Sequence, residues 1–266
     1  MTFPSTRPIH FQNWPSHGKK NVEKDILCRM EVWVITLILT YLVTSASSLM
    51  KTGLGKQLEI FSNVIITTDV LSEVSNTVND VECVSLCLKT EACVSAFYRP
   101  QHRRCQLHDV LFMSPKDGQR EIGAVYYSLT TGTCPPGYIH NRPLNFCYQL
   151  HLDKAKYADG LADCNSRGEH FLVIDSPDKQ SHFVKQVTAS SDSIKGSYYI
   201  DGSDAATEGQ WVYHDGQPVT YFAWDSGFPN NVTTNRDYLV ALKFSEFRWQ
   251  DRESDHERCY ACEKHV

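Results

Sequence analysis

The cysteines constrain this chain more than any other feature of its sequence. Nine of the ten lie after the apolar run Val32–Val43, in a group of four followed by a group of five. The run is shorter than the ~20 residues of a membrane-spanning helix, and the small residues at 44–48 that follow it are typical of a secretory signal peptide. Export leads to an oxidising compartment, in which grouped cysteines form disulfides. The sequence therefore predicts a secreted protein with two disulfide-bonded units.

The beginning of the chain allows more than one interpretation. We expect residues 1–48 to comprise an extension and a secretory signal at about 30–48, because Met30 stands just before the apolar run. Glu31 is an acid where signal peptides usually carry basic residues, which favours a start further upstream. If the signal is not cleaved, the chain would instead be a type II membrane protein.

Length, charge and motifs exclude several functions. The 266 residues suffice for two domains, and the net charge of −5 does not suit nucleic acid, which needs clustered Lys and Arg. The sequence contains no nucleophile elbow, HExxH pair, P-loop or dinucleotide fingerprint, so we expect no enzyme. Asp201 and Asp215 flank glycines and are predicted to form turns, and His214 is predicted to lie in a strand.

The first group of cysteines lies on a predicted helix and sheet. Asn79 is a helix N-cap with Glu82 three residues later, which is the pattern of a capping box. Two cysteines follow four positions apart, so their sulfurs point from one face of the helix. The group comprises Cys83, Cys87, Cys93 and Cys105. Spacing alone leaves three pairings open.

The spacing of this first group, flanked by apolar strands at 64–66 and 124–127, resembles that of PAN/apple domains. The resemblance places a domain at 50–129 and implies the disulfides Cys83–Cys105 and Cys87–Cys93. Such domains bind protein or carbohydrate, although a small spacer fold fits the residues equally well. Residues 130–133 would be a short polar linker that permits limited hinging.

The second unit begins with a predicted disulfide-closed hairpin and two helices. Apolar residues from Tyr157 onward recur at helical spacing, and we expect the first helix to begin at about Asp153 and end at Gly168. Ser176 and Pro177 are an N-cap and a first-turn proline, and they predict a second helix.

Later segments of this unit resemble those of C-type lectin domains. They are Tyr199–Gly202, Gly209–Gly216, Trp224, Trp249–Asp251 and Cys262–Lys264. The resemblance implies an α+β, C-type lectin fold over 134–266, with the disulfides Cys134–Cys147 and Cys164–Cys262. The predicted fold class is therefore α+β, with a PAN/apple-like domain followed by a C-type lectin fold.

One cysteine of the second group is left over. Cys259 predicts either a free thiol or an intermolecular disulfide, and thus a disulfide-linked homodimer. A rival interpretation places zinc on His256, Cys259, Cys262 and His265. We disfavour it, because the resemblance already assigns Cys262 to a disulfide.

The resemblance also shows which residues stand at the positions of the principal calcium site, through which many of these lectins bind sugar. Its side-chain positions correspond to Phe228, Asn230, Arg236, Gln250 and Asp251. Only Asn230 and Asp251 match the expected ligands, and Arg236 replaces an anion by a cation. A unit charge about 5 Å from a divalent ion costs on the order of 6 kcal/mol at an effective dielectric of 20. We therefore expect this ligand-binding site to be degenerate and not to hold calcium.

An auxiliary calcium site of the same family retains more ligands. Its positions correspond to Asp204, Glu208, Asn231 and Asp237, with a backbone carbonyl from Arg236. Three carboxylates and one amide can hold Ca²⁺, which is the one candidate cofactor. Solvated loop acids are the alternative, because Asn231 also begins an N-glycosylation sequon, and a glycan there would compete with the metal.

The expected function is extracellular recognition without chemistry. One hypothesis is that the lectin-like unit binds carbohydrate or glycoprotein without the principal calcium site. The alternative is a matrix or adhesion protein in which both units make protein–protein contacts.

Overall fold

The computed structural model describes residues 55–130, 132, 134–189, 196–230 and 235–264. The predicted signal peptide and the extension before it lie outside the described residues, and so does Met30. Within the described ranges, no helix has the length and apolar character needed to cross a membrane. Both predicted units lie within Leu49–Val266, which forms a single compact body.

The N-terminal unit is an antiparallel sheet with one α-helix packed on it. The sheet has the order β1-β7-β4-β5-β3, and β2 and β6 form a separate pair. The strands are β1 (Gly55–Gln57), β2 (Val64–Ile65), β3 (Val70–Ser75), β4 (Ser95–Arg99), β5 (Arg104–His108), β6 (Gln119–Arg120) and β7 (Val125–Leu129). Phe97 on the central strand β4 is fully buried and packs against Tyr126 on β7.

Helix α1 (Asp80–Lys89) begins where its cap predicts. The Asn79 side chain accepts a hydrogen bond from the backbone N–H of Glu82 at 2.8 Å. The Glu82 carboxylate accepts in return from the N–H of Val78 at 2.6 Å, one residue earlier than in a capping box. Both cysteines of α1 are buried against the sheet. The disulfides of this unit are Cys83–Cys105 and Cys87–Cys93, the pairs that the resemblance implies.

The C-terminal unit has a larger mixed sheet with the order β13-β12-β11-β14-β9-β8, and β10 also pairs with β14. The strands are β8 (Ile139–Asn141), β9 (Phe146–Ala155), β10 (His170–Phe171), β11 (Tyr198–Ser203), β12 (Tyr238–Leu242), β13 (Arg248–Arg252) and β14 (Arg258–Lys264). Strands β11 and β14 run parallel, and the other pairs are antiparallel. The disulfides are Cys134–Cys147 and Cys164–Cys262, again the implied pairs.

Two helices, α2 (Tyr157–Ser166) and α3 (Pro177–Thr188), accompany this sheet. The prediction that the first begins at about Asp153 is wrong, because residues 153–155 complete strand β9 and Ala155 pairs with Arg258 of β14. Helix α3 begins as predicted, with the Ser176 side chain accepting from the N–H of Lys179 at 3.3 Å.

The two units contact each other closely, which opposes the hinging that a short polar linker predicts. Gln186 of α3 is fully buried and bonds to both backbone groups of Leu111, at 2.8 Å to its N–H and 2.7 Å to its carbonyl. The neighbouring Lys185 forms an ion pair with Asp109 at 2.6 Å. Buried apolar residues of both units belong to one continuous core, which includes Phe112 and Phe183.

Arg142, in the turn between β8 and β9, forms a second connection between the units. Its guanidinium donates to the carbonyl oxygens of Cys87, Leu88, Thr90 and Cys93. These carbonyls lie at and just after the C-terminus of α1, where a helix leaves acceptors without intrahelical partners. One side chain of the C-terminal unit therefore caps the helix of the N-terminal unit.

Candidate functional site

The segment from Trp224 to Asp251 is held by its tryptophan on β13. Trp249 is fully buried, and its indole N–H donates to the Gln180 side chain of α3 at 2.9 Å. Its backbone N–H bonds to the Ala223 carbonyl at 2.8 Å, and its carbonyl accepts from the N–H of Asp225 at 2.8 Å. The peptide bond before Pro229 is cis. The bonds of Ala223 and Asp225 to Trp249 thus attach the start of the loop that would carry a principal calcium site to the core.

Both polar atoms of the Gln250 side chain are bonded to other side chains. Its amide N–H donates to the Asp225 carboxylate at 2.6 Å, and its amide oxygen accepts from the guanidinium of Arg252. The guanidinium also lies over the Phe228 ring, 5.6 Å from the ring centroid. The one oxygen that Gln250 could offer to calcium therefore already binds a cation.

The remaining principal positions lie nearby. The backbone N–H of Asn230 donates to the buried Asp251 carboxylate at 2.8 Å, so the two matching residues are adjacent. Arg236 bonds to Glu253 at 3.0 Å. Burial lowers the pKa of Arg252, and the positive charges of Arg236 and Arg258 lower it further. The residues at this position do not fit calcium.

Sequence reasoning missed the role of Arg252. A local signal for it does exist: Gln250 and Arg252 are two residues apart on strand β13, so their side chains share one face of the sheet. The positions drawn from the family resemblance did not include Arg252.

The auxiliary positions show a different pattern. Asp204 is buried, and one of its carboxylate oxygens accepts from the N–H of Gly209 at 2.9 Å. Among the described residues, its other oxygen is buried without a hydrogen-bond partner. Burial raises the pKa of Asp204, and the charges of Glu208 and Asp237 raise it further. A buried carboxylate oxygen beside two further acids is an arrangement that a divalent cation stabilises.

The structure brings Asp204 and Asp237 together, since the N–H of Asp204 donates to the Asp237 carbonyl at 3.2 Å. Glu208 is exposed on the turn that follows Asp204. Asn231 lies outside the described residues, so its predicted calcium ligation and its predicted glycosylation both stay predictions.

Cys259 is the free cysteine of the described part of the chain, and it is buried in β14. Its sulfur lies 3.6 Å from the Leu152 carbonyl, and a Cβ built on Gly196 would come within 2.3 Å of that sulfur. Burial raises the pKa of the thiol, which lowers its reactivity. These contacts oppose the intermolecular disulfide and agree with the free thiol. Cys262 is bonded to Cys164, which removes it from the rival zinc set.

Two predictions about single residues near glycines are wrong. Asp201 lies inside strand β11, not in a turn, and His214 lies in a turn, not in a strand. The Asp201 carboxylate accepts from the backbone N–H of His214 at 3.1 Å and is 2.6 Å from Nδ1 of its ring. Asp215 does form a turn, where its carboxylate accepts from the N–H of Gln217 at 3.0 Å.

Comparison with known proteins matches both units. The family model described as Lectin C-type domain matches residues 153–264, and the model described as PAN domain matches residues 56–131. C-type lectin domains are generally non-enzymatic, and neither family is a catalytic one. The domains commonly bind Ca²⁺, although some do not.

Individual relatives differ in what their names say they bind. Human C-type lectin domain family 4 member E is 33% identical over 159 residues, which cover 56% of this chain and 70% of that protein. The galactose-specific lectin nattectin of Thalassophryne nattereri is 24% identical, covering 54% of this chain and 89% of the relative. A type-2 ice-structuring protein of Brachyopsis segaliensis is 26% identical, covering 48% and 71%. The chain therefore belongs to the C-type lectin family, and it carries a PAN domain in front of its lectin domain.

Proposed function

We propose that this chain is an extracellular recognition protein whose lectin domain binds carbohydrate or glycoprotein without a calcium ion at the principal position. The observation that carries the proposal is the contact between the Arg252 guanidinium and the Gln250 amide oxygen, above the Phe228 ring. A cation that belongs to the protein takes the place of a bound one. Recognition then depends on hydrogen bonds and apolar contacts of the loop.

The relatives support a lectin domain whose ligand varies. One is a galactose-specific lectin and another an ice-structuring protein, so the same fold serves sugar and non-sugar ligands. Asp225 and Arg252 bond to Gln250 beside the degenerate position, and Glu253 bonds to Arg236. A polar ligand would exchange these bonds for its own.

A glycan array probed with the whole secreted protein tests sugar recognition. We expect specific binding to a limited set of glycans, because the start of the loop is bonded to the buried Trp249 and the loop carries several polar side chains. Phe228→Ala removes the ring beneath Arg252 and should weaken the signal, whereas Phe244→Ala, at an exposed residue elsewhere on the surface, serves as its control. A blank array would contradict sugar binding.

The second candidate function is a matrix or adhesion protein in which both domains make protein contacts. The observation that favours it is the close junction between the domains, through the bonds of Gln186 and Arg142 to the PAN domain. A surface that extends over both domains would thereby be held in one arrangement. Burial of Cys259 means that such a role would not use this sulfur as a cross-link.

We also propose that Asp204, Glu208, Asn231 and Asp237 hold one calcium ion at the auxiliary position. The buried oxygen of Asp204, for which residues 55–130, 134–189, 196–230 and 235–264 supply no hydrogen-bond partner, supports this assignment. The ion would hold the loop that contains Asn231 against strand β11.

Melting temperatures measured in calcium and in chelator test the auxiliary site. We expect calcium to stabilise the protein, by about 2.7 kcal/mol when its concentration is a hundred times the dissociation constant. Asp204→Asn keeps an acceptor for the N–H of Gly209 but removes the charge, and it should abolish the shift, while Asp215→Asn should keep it. Thr233→Ala removes the sequon and leaves Asn231 in place, which separates ligation from glycosylation. An unchanged melting temperature in the glycan-free protein would rule out the site.

A further inference from the structure

Three side chains outside the calcium positions bring metal-ligating atoms together. They are His170 on β10, Asp201 on β11 and His214 in the following turn, and one ligand atom from each lies within 4.8 Å of the others. His170 and Asp201 are 6% and 4% exposed. Imidazole nitrogen and carboxylate oxygen are ligands that zinc commonly takes in proteins.

The hydrogen bond of His170 determines which of its ring nitrogens can bind a metal. Nδ1 lies 2.7 Å from the carbonyl oxygen of Phe171. A carbonyl can only accept, so Nδ1 donates and the lone pair is on Nε2. A backbone carbonyl that holds one ring nitrogen is a common way of orienting a metal-ligating histidine.

Asp201, on strand β11, is bonded to the turn that contains His214. Its carboxylate accepts from the backbone N–H of His214, which holds the turn beside it whatever the orientation of the ring. The same oxygen is 2.6 Å from Nδ1 of His214. The hydrogen bond to Asp201 raises the pKa of His214, although burial opposes the shift, so a metal would compete with a proton here.

Further acidic side chains lie near the three residues. Glu263 pairs with His170 across strands β10 and β14, and both Glu263 and Asp215 act on His214 electrostatically. Burial raises the pKa of Glu263 to about 7, and Nζ of Lys179 lies 3.7 Å from one of its carboxylate oxygens. A divalent cation would offset the excess of acidic groups in this partly buried place.

A cavity of about 310 Å³ adjoins Asp201 and His214 and is also lined by Tyr157 and Leu161. It gives an ion a path from solvent and leaves room for water as a further ligand. The rings of His170 and His214 are stacked, with centroids 3.8 Å apart and planes at 12°. A metal binds in the plane of the ring, so coordination by both requires His214, whose side chain is 30% exposed, to turn out of the stack.

We propose that Nε2 of His170, the carboxylate of Asp201 and a ring nitrogen of His214 form a site for a divalent transition metal, with zinc as the preferred ion and water completing its coordination. The site shares no residue with either calcium position. It would tie the short strand β10 to β11 and to the turn that holds His214.

Calorimetric titration of the untagged, full-length secreted protein with zinc tests the proposal. We expect one zinc ion per chain, and we expect His214→Ala and Asp201→Asn to weaken binding by at least about tenfold. His256→Ala is the matched control, because His256 is exposed and belongs to the rival zinc spacing; it should bind as the wild type does.

Nuclear magnetic resonance of ¹⁵N-labelled histidine rings provides a readout that does not depend on the variants folding. Zinc should shift the ring signals of His170 and His214 in the wild type and leave that of His102 unchanged. Absence of zinc uptake by the wild type overturns the proposal. Equal uptake by a folded His214→Ala variant, or zinc-dependent shifts confined to other histidines, also overturns it.

Discussion

The double variant Cys164→Ala/Cys262→Ala is expected to lose about 4.7 kcal/mol of stability, if the disulfide acts by restricting the conformational entropy of the unfolded chain. The bond closes a loop with a sequence separation of 98 residues, and both cysteines are fully buried. It ties α2 to β14, the strand that lies between β9 and β11 in the sheet. Loss of this bond should therefore destabilise the whole lectin domain.

Urea unfolding of the wild type and of two double variants measures this effect. Cys134→Ala/Cys147→Ala is the control, because its loop has a sequence separation of only 13 residues and is expected to contribute about 3 kcal/mol. The order of the two losses is the critical result. A larger loss of stability on removing Cys134–Cys147 than on removing Cys164–Cys262 would show that chain entropy does not determine what these disulfides contribute.

Arg142→Ala is expected to lower the free energy of unfolding by about 3 kcal/mol. The substitution removes the guanidinium from four carbonyl groups at and after the end of α1, of which those of Cys87 and Thr90 still accept from backbone N–H groups. Each hydrogen bond to a charged group contributes about 1.5–3 kcal/mol before overlap and hydration reduce the sum. The guanidinium also places a positive charge at the C-terminus of a helix, which is favourable. The effect should reach both domains, because Arg142 belongs to one and its acceptors to the other.

Chemical denaturation followed by fluorescence tests this prediction. Arg142→Lys keeps the charge without the planar fork, so its loss should be intermediate. Arg104→Ala removes a half-exposed ion pair with Glu73 at 3.2 Å and should cost less than about 1 kcal/mol. If Arg142→Ala were as stable as Arg104→Ala, the cap would not hold the domains together.

The features that the sequence predicted well are those that depend on neighbouring residues. The caps at Asn79 and Ser176 begin helices in the structure because a short polar side chain reaches an N–H three residues later. The helix at 157 begins later than predicted, because strand β9 extends through Ala155 to pair with β14. Pairing with a distant strand thus overrides the local pattern there.

The contacts that determine the candidate sites are between residues far apart in the chain. Arg142 reaches carbonyls more than 45 residues earlier, and Gln186 bonds to Leu111, 75 residues away. No local sequence pattern identifies such partners, because a charged or amide residue looks the same in the sequence whether it is solvated or bonded to a distant residue. The residue types at the principal calcium position predict a degenerate site, whereas the contact of Arg252 with Gln250 is visible only in the fold.

We propose that the lectin domain recognises its ligand without calcium at the principal position. The most direct measurement is the affinity for a glycan selected on the array, determined in calcium and in chelator for the wild type and for Asp204→Asn. We expect the wild-type affinity to change little on chelation, and Asp204→Asn to show equal affinity in both conditions. Three results together would contradict this proposal. The wild type would lose all binding in chelator, Asp204→Asn would still need calcium for binding, and Asn230→Ala would bind equally in calcium and in chelator.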